Sequence, residues 1–105
     1  MFGRLVTIKL KVDSAEELAR INKNTIVPLL QKQTGFRHES LHIAPCGSEA
    51  IAKTWWATKE DAESYDRVCY AEILIALANV VEGKPMMEGF ELAGAAFEKA
   101  LAKAA

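Results

Sequence analysis

Two histidines four residues apart are the side chains of this sequence whose chemistry is most directly useful. His38 and His42 fall in a segment of strand-like character, and residues four apart on a strand point to the same face. An imidazole titrates near neutral pH, so His38 is our candidate for a base that deprotonates a phenol or a quinol. The competing interpretation is structural: two half-buried or rim histidines that hydrogen-bond to neighbouring groups.

Aromatic side chains in the same half of the sequence could form the walls of a pocket around this base. Trp55 and Trp56 are adjacent, so on a strand they must point to opposite faces. We predict that Trp56 and Tyr65 contact a substrate, with His42 as a further binding residue. In the competing interpretation both indoles are core residues, the usual way in which aromatic side chains bury their large surface.

Metal and cofactor motifs are absent from the sequence. The two histidines have no third ligand at a metal-binding spacing, and Cys46 and Cys69 form neither a zinc nor a redox pattern. We therefore predict no metal and no cofactor. Both cysteines are expected to be thiols in a reducing compartment.

Charge and hydropathy exclude several classes of partner. Thirteen Lys and Arg against fourteen Asp and Glu give a net charge of −1, without the concentrated basic face that nucleic acid or an anionic membrane requires. The longest apolar stretch, Val68 to Val81, contains Glu72 and Asn79 and is too short to span a bilayer. No secretory signal is recognisable, so a cytoplasmic location is expected.

The first third of the chain predicts a strand followed by an interrupted helix. Leu5 to Val12 alternates between apolar and polar residues, which is typical of a half-buried strand. Ser14, followed three residues later by a glutamate, predicts a capping box at a helix start. Pro28 predicts a kink or break near Asn24 to Val27, and Gly35 is the natural left-handed terminator of the helix.

The middle of the chain predicts a β-hairpin that carries the candidate site. Phe36 to Ala44 and Ala50 to Ala57 are strand-like, and the five residues between them are typical of a turn. If the strand ends face each other across this turn, His38 lies opposite Trp56. A slip of one residue would put Trp55 there instead.

The last third predicts a long helix, a fourth strand and a helical tail. Thr58 caps the helix, and the segment Val68 to Val81 is apolar nearly all round, which indicates a helix covered on more than one face. Gly83-Lys84-Pro85 ends that helix. Met86 to Leu92 forms the fourth strand, and residues 93–105 form an Ala-rich helical tail.

The predicted order is that of a ferredoxin-like split β-α-β domain with a four-stranded antiparallel sheet. With this order, the sequence resembles the antibiotic-biosynthesis-monooxygenase-like family of the dimeric α+β barrel superfamily, over about Leu5 to Leu92. The features that carry the resemblance are Val27 to Leu30 followed by Gly35-Phe36, the run Trp55-Trp56-Ala57-Thr58, the tyrosines Tyr65 and Tyr70, and Gly83-Lys84-Pro85.

The resemblance implies one α+β domain over residues 1–105 whose sheet packs face to face against that of a second copy, giving a homodimeric barrel. Half of the residues are hydrophobic, a surplus that such an interface would absorb. Phe90, the largest apolar residue of the fourth strand, is our candidate anchor of this interface. The competing interpretation turns Phe90 toward the helices of its own protomer.

The resemblance also implies a cofactor-independent monooxygenase acting on a small aromatic or quinone-like substrate. The oxygenase members place an Asn four residues before the pocket Trp, where this sequence has Ala52. The alternative function is therefore a non-catalytic dimer that binds a small apolar ligand or has a regulatory role. The haem-degrading branch requires an Asn on the first strand, where this chain has Thr7 and Lys9, and a helical His that Val68 to Val81 lacks, so haem degradation is disfavoured.

Overall fold

The computed structural model describes residues 1–91 as a four-stranded antiparallel sheet with helices on one face. The strand order is β2-β3-β1-β4, which is the ferredoxin-like arrangement that the sequence predicts. The end of the predicted fourth strand at Leu92 and the predicted tail 93–105 lie outside the described residues. None of the described helices is both long and apolar enough to cross a membrane. The elements are β1 (Phe2–Leu10), α1 (Ala15–Ile21), a π-helical turn (Asn22–Ile26), α2 (Val27–Gln31), β2 (Phe36–Ile43), β3 (Glu49–Trp56), α3 (Lys59–Leu77) and β4 (Val81–Glu91).

Strand β1 lies in the centre of the sheet and is displaced toward the N-terminus relative to its prediction. It begins at Phe2 rather than Leu5 and ends at Leu10 rather than Val12. Gly3 and Arg4 have low strand propensity, but both pair with β3 on one side and β4 on the other. Pairing on two sides outweighs local propensity here, which is common for central strands.

The first helical region contains the interruption that Pro28 predicts. Residues Asn22–Ile26 form a π-helical turn, and Pro28 then lies in the first turn of α2, where its missing N–H is not needed. Gly35 adopts φ +79°, as predicted, but the helix already ends at Gln31 with Lys32 as its C-cap, so Gly35 belongs to the turn that leads into β2 rather than to the helix end. The predicted capping box is wrong: Ser14 makes no cap hydrogen bond, and its hydroxyl instead lies 3.4 Å from the carbonyl oxygen of Val12.

The β2–β3 hairpin forms with a register one residue away from the expected one. Ala44 pairs with Glu49 at the loop, where the expected partner is Ala50, so that along the strand His38 faces Trp55 and Glu39 faces Thr54. A bulge between Phe36 and His38 then brings Phe36 opposite Trp56. Our expectation that His38 faces Trp56 is therefore wrong. A one-residue shift exchanges the two faces of a strand, so Glu39 rather than His38 points toward the helices.

Helix α3 starts as predicted but ends early. The side chain of Thr58 accepts a hydrogen bond from the Asp61 amide at 3.1 Å, which confirms this cap. The helix ends at Leu77, and the predicted helical end Val81 instead begins β4, well before the predicted start at Met86. The Gly83-Lys84-Pro85 segment forms an irregularity inside β4, where Gly83 has φ +70°.

The core lies between the helices and the sheet face that they cover. Trp56, Leu18 and Leu30 are almost fully buried, and each contributes roughly 1.5–3 kcal/mol by leaving water. Val68 and Ile75 on the outer side of α3 are exposed, so residues 1–91 do not provide the second covered face expected for this helix. The buried residues form two clusters: Ile8, Leu10, Leu18, Ile21, Ala50, Leu77 and Val80 in one, and Phe2, Leu30, Trp56, Ala62, Tyr65 and Cys69 in the other.

Candidate functional site

A cavity of about 90 Å³ lies between the sheet and the helices. Its most exposed lining residues, Leu74 of α3 and Met87 of β4, mark its mouth between these two elements. Most of its wall is apolar, contributed by Val6, Ile8, Leu18, Ile26, Leu30, Leu41, Ala52, Ile73, Leu74, Leu77, Pro85 and Met87. The polar lining residues are Arg4, Asn22, Glu39, Thr54, Tyr65, Asp66 and Tyr70.

Strand register places three of the polar residues in one row across the sheet, with Glu39 and Arg4 at its two ends. Glu39 on β2 pairs with Thr54 on β3, and Thr54 pairs with Arg4 on β1. Directly paired residues of antiparallel strands point to the same face, so the carboxylate and the guanidinium both rise from the cavity floor. Their backbones are two strand spacings apart, roughly 10 Å.

Glu39 supplies a buried acceptor that the protein leaves unpaired. Its Oε2 is inaccessible to water and is the single buried side-chain nitrogen or oxygen without a hydrogen bond within residues 1–91. Burial raises the pKa of Glu39 above its ordinary value, while a hydrogen bond from Asn22 and the charges of His38 and His42 oppose this shift. An unpaired buried acceptor lowers the stability of the fold. A ligand that donates a hydrogen bond to Glu39 would supply the missing interaction, and its free energy would contribute to binding.

Arg4 supplies a cation that its neighbours hold in place. Its Nη1 donates to Oδ1 of Asp66 at 2.5 Å and approaches the carbonyl oxygen of Ala62 at 3.5 Å. The Arg4 side chain is only 11% exposed. The charge of Asp66 compensates that of Arg4, while Nε and Nη2 form no hydrogen bond in the described part of the chain and remain as donors.

Tyr65 and Trp56 form the aromatic wall behind the polar row. Their ring centroids are 5.2 Å apart, and the Trp56 indole N–H donates to Oγ1 of Thr54 at 3.0 Å. Burial raises the pKa of Tyr65 well above its ordinary value, so its phenol is neutral at physiological pH. A neutral phenol at a cavity wall can donate a hydrogen bond to a ligand or accept one from it.

The structure separates the four side chains selected from the sequence. Tyr65 lines the cavity, and Trp56 is completely buried directly behind that wall. His38 and His42 lie on the other face of the sheet, which we call the open face, where Nε2 of His42 is 3.2 Å from Oγ of Ser40. The histidines and the aromatic pair therefore belong to different surfaces.

Sequence reasoning missed Glu39 and Arg4, although both have a recognisable signal. Along β2, Glu39 shares its face with Leu41 and Ile43, and a carboxylate in a row of apolar residues is unusual. Arg4 similarly shares its face with Val6 on β1. Charged residues on the apolar face of a strand must be paired or must serve a ligand, since burial of an isolated charge is costly.

The arrangement offers an acceptor and a donor at two ends of an apolar cavity. Such a site can bind a small molecule with one end on Glu39 and the other on Arg4, and Glu39 can exchange a proton with it. In residues 1–91, no group of three or more His, Cys, Asp or Glu side chains is placed to hold a metal ion.

Solved structures of other proteins share the fold of this chain, at low sequence identity. No family model matches the sequence, and no curated protein matches it. Among solved structures, a monooxygenase from Streptomyces coelicolor in complex with nanaomycin D is similar to this chain at TM-score 0.76 and 17% identity, covering 90% of this chain and 88% of that one. A protein of unknown function from Nitrosomonas europaea is similar at TM-score 0.74 and 19% identity, with 90% of each chain covered.

A third solved structure connects the fold to the family that the sequence resembles. A provisionally named antibiotic biosynthesis monooxygenase from Deinococcus radiodurans matches at TM-score 0.75 and 13% identity, covering 90% of this chain and 95% of that one. Identities this low establish the architecture and leave the activity to the site itself. The chain therefore has the α+β fold of the antibiotic-biosynthesis-monooxygenase-like proteins, as the sequence resemblance predicts.

Proposed function

We propose that the protein is a cofactor-independent oxygenase that oxidises a small aromatic or quinone-like substrate in the cavity between sheet and helices. The observation that carries this proposal is Glu39, a partly buried carboxylate that lines a cavity with mainly apolar walls and whose Oε2 has no hydrogen bond within residues 1–91. Glu39 replaces His38 as the proposed base, because the register of the hairpin turns His38 away from that cavity.

The reaction balances without an external reductant. Glu39 takes the proton of a phenol, and the resulting phenolate gives electrons to O₂, so that a carbon–oxygen bond forms at the ring. The oxygen–oxygen bond then breaks, one oxygen atom stays on the ring, and the other leaves as water. A phenol and one O₂ thus give a quinone and one water, and all electrons that reduce O₂ come from the substrate.

Glu39 has the properties that such a base needs. Burial raises the pKa of Glu39, which makes its carboxylate a stronger proton acceptor than that of an ordinary glutamate. The guanidinium of Arg4 lies across the cavity floor from it, where a cation stabilises the negative charge that develops on a substrate oxygen.

Oxygen uptake with a panel of phenols and quinols tests the function. The proposal expects uptake above background and a loss of roughly 10²-fold or more in kcat for Glu39→Gln, the usual range for a removed general base. Glu72→Gln, the same change at an exposed position of α3, is the matched control. If no member of the panel supports uptake, the oxygenase function is wrong, and if His38→Gln rather than Glu39→Gln abolishes uptake, the base is misassigned.

Binding without catalysis is the second candidate function. It is favoured by Ala52, which occupies the cavity floor where the resemblance implies an Asn, so one polar contact to a substrate carbonyl is absent. Saturable binding of an aromatic ligand together with no oxygen uptake would identify the protein as a ligand-binding dimer.

A second copy of this chain is the partner that we propose for the open face. Phe90 of β4 is 48% exposed and pairs with Gly3 of β1. Gly3 pairs on its other side with Trp55 of β3, so two aromatic side chains flank this glycine on the open face. Four strands of about eight residues offer a footprint on the order of 500 Å² per copy. Two such faces would bury about 1,000 Å² in total, which is the lower end of specific interfaces.

A further inference from the structure

We propose that the ligand of the cavity is a neutral single-ring phenol with a carbonyl group opposite its hydroxyl, the hydroxyl on Glu39 and the carbonyl on Arg4. This inference rests on the proposed function, because it concerns the same cavity. It goes further by assigning three properties of the ligand: its polarity, that is, which end donates and which end accepts a hydrogen bond, its charge and its size.

The polarity follows from the hydrogen-bonding capacity of the two side chains. An ionised carboxylate only accepts hydrogen bonds, and a guanidinium only donates them. Glu39 lines the β2 side of the cavity, and within residues 1–91 its Oε2 has no hydrogen-bond donor, so the ligand should carry an O–H or N–H group at that end. Both hydrogen bonds that Arg4 makes come from Nη1, so its other donors call for an acceptor at the opposite end.

The charge follows from Asp66. This carboxylate already neutralises Arg4 at 2.5 Å, and Glu39 adds a second negative group to the wall of the same cavity. An anionic ligand would therefore meet two carboxylates for one cation. A neutral carbonyl avoids this repulsion and still accepts a charge-assisted hydrogen bond from the guanidinium.

The size follows from the floor and the volume of the cavity. Between the two polar ends the floor consists of Thr54 and the small side chain of Ala52, which leaves a flat surface for a ring. The volume of about 90 Å³ is smaller than the roughly 150 Å³ of an engineered apolar cavity that admits benzene, so this space takes one ring at most and excludes fused rings. Tyr65 lies at the side of this space, where its ring can pack against that of the ligand.

Four related compounds test these features by calorimetric titration in a buffer below the pKa of the phenol. 4-Hydroxybenzaldehyde carries both groups, 4-methoxybenzaldehyde lacks the donor, phenol lacks the acceptor, and 4-hydroxybenzoate carries an anion. We expect 4-hydroxybenzaldehyde to bind about tenfold more tightly than each of the others, the effect of one hydrogen bond to a charged group. Equal binding of all four, tightest binding of the benzoate, or no binding at all would overturn the inference.

Two variants assign each preference to its side chain. Glu39→Leu should remove the preference for 4-hydroxybenzaldehyde over its methyl ether, and Arg4→Lys, which keeps a cation for Asp66, should reduce its preference over phenol. Glu72→Gln is the control that should retain both preferences, and thermal melts establish that every variant is folded. A folded Glu39→Leu protein that still discriminates against the methyl ether would exclude the proposed orientation.

Oxygen uptake measured on the same compounds separates the two proposals. The expected binding pattern without oxygen consumption would leave this inference standing and remove the oxygenase function. Oxygen consumption without the binding pattern would support the oxygenase function and overturn this inference.

Discussion

The indole of Trp55 lies over the backbone of Gly3, in the space that a Cβ atom at Gly3 would occupy. The two residues are direct partners in the β1–β3 ladder, and Phe90 pairs with Gly3 from the other side. The missing side chain of Gly3 therefore leaves the space that the Trp55 ring occupies on the open face. Any larger residue at this position must displace the Trp55 ring.

Gly3→Val should disturb this aromatic row without affecting the helix-covered core. We expect a loss of about 1–3 kcal/mol of unfolding free energy, typical of overpacking, together with a changed near-ultraviolet circular dichroism spectrum as the Trp55 ring moves. Chemical denaturation and near-ultraviolet spectra measure the two effects. Ser64→Ala, an exposed change on α3, is the control, and an unaltered Trp55 spectrum in Gly3→Val would contradict the packing described here.

Gly35→Val should destabilise the protein strongly, whereas Cys46→Ser should not. Gly35 has φ +79°, and a Cβ there would also collide with the carboxylate of Asp61. A β-branched residue cannot adopt this backbone conformation without strain. Cys46 is exposed in a turn, where a serine can keep the contact with the Ser48 hydroxyl. Thermal melts that coincide for the two variants would show that Gly35 does not need its left-handed conformation in the turn before β2.

The two predicted helix caps should respond differently to alanine. Thr58→Ala removes the acceptor of the Asp61 amide and should cost about 1 kcal/mol of unfolding free energy. Ser14→Ala removes no cap hydrogen bond, so we expect a change of a few tenths of a kcal/mol. Urea denaturation of the pair measures the difference, and equal losses would mean that Ser14 caps α1 in solution.

The stability of the protein should depend on the ionisation of Glu39. Its pKa is raised in the folded state, so the protonated form favours folding, and this contribution is lost as the pH rises through the folded pKa. Glu39→Gln should therefore be more stable than the parent protein at neutral pH, by on the order of 1 kcal/mol. The difference should vanish below the pKa of an unfolded glutamate, about 4.3.

Denaturation across this pH range checks the prediction, with Glu72→Gln at an exposed position of α3 as the matched control. A parent protein that is more stable than Glu39→Gln at neutral pH would indicate that the hydrogen bond from Asn22 to the carboxylate outweighs the cost of its burial.

Phe90→Asp should convert the proposed dimer into folded monomers. Phe90 lies on the open face, away from the helices of its own protomer, so its replacement should leave the core intact. A carboxylate buried between two sheets without a cation costs several kcal/mol, which association at this interface cannot absorb. Sedimentation and far-ultraviolet circular dichroism together measure assembly and folding.

Ile75→Asp provides the control for this experiment, because Ile75 is 77% exposed on the outer side of α3. We expect this variant to keep the dimer. Dissociation by Ile75→Asp but not by Phe90→Asp would move the interface from the sheet to the helix, and an unfolded Phe90→Asp chain would assign Phe90 to the core.

The sequence predicts the fold well because most elements combine consistent local signals. Three of these signals have one dominant physical effect each: alternation indicates the half-buried strand β1, Pro28 interrupts the first helical region, and Gly35 permits the left-handed turn that follows it. The order of the elements is that of the family that the chain resembles. The fourth strand is less predictable. Val81 continues the apolar pattern of α3, and only its pairing with Leu10 makes it part of the sheet.

The candidate site is less predictable, because it depends on a register that the sequence does not encode locally. The loop of the hairpin pairs Ala44 with Glu49 rather than with Ala50, and this offset of one residue exchanges the faces of His38 and Glu39, and with them the identity of the proposed base. Tyr65 lines the cavity whatever this register is, because it lies on α3, and its contact with a substrate stays a prediction.

The irregularity in β4 has a consequence for how molecules of this protein can aggregate. The edges of the sheet are β2 and β4, and an exposed edge can recruit strands from other chains. On β4, Pro85 lacks an N–H donor and Gly83 distorts the backbone, so this edge is a poor template for a further strand. On β2 the bulge lies at the start of the strand, so the regular part that could pair with another chain runs over residues 38–43. Two molecules joined through β2 would present β4 at both ends, so that the growth of a fibre would stop at a pair.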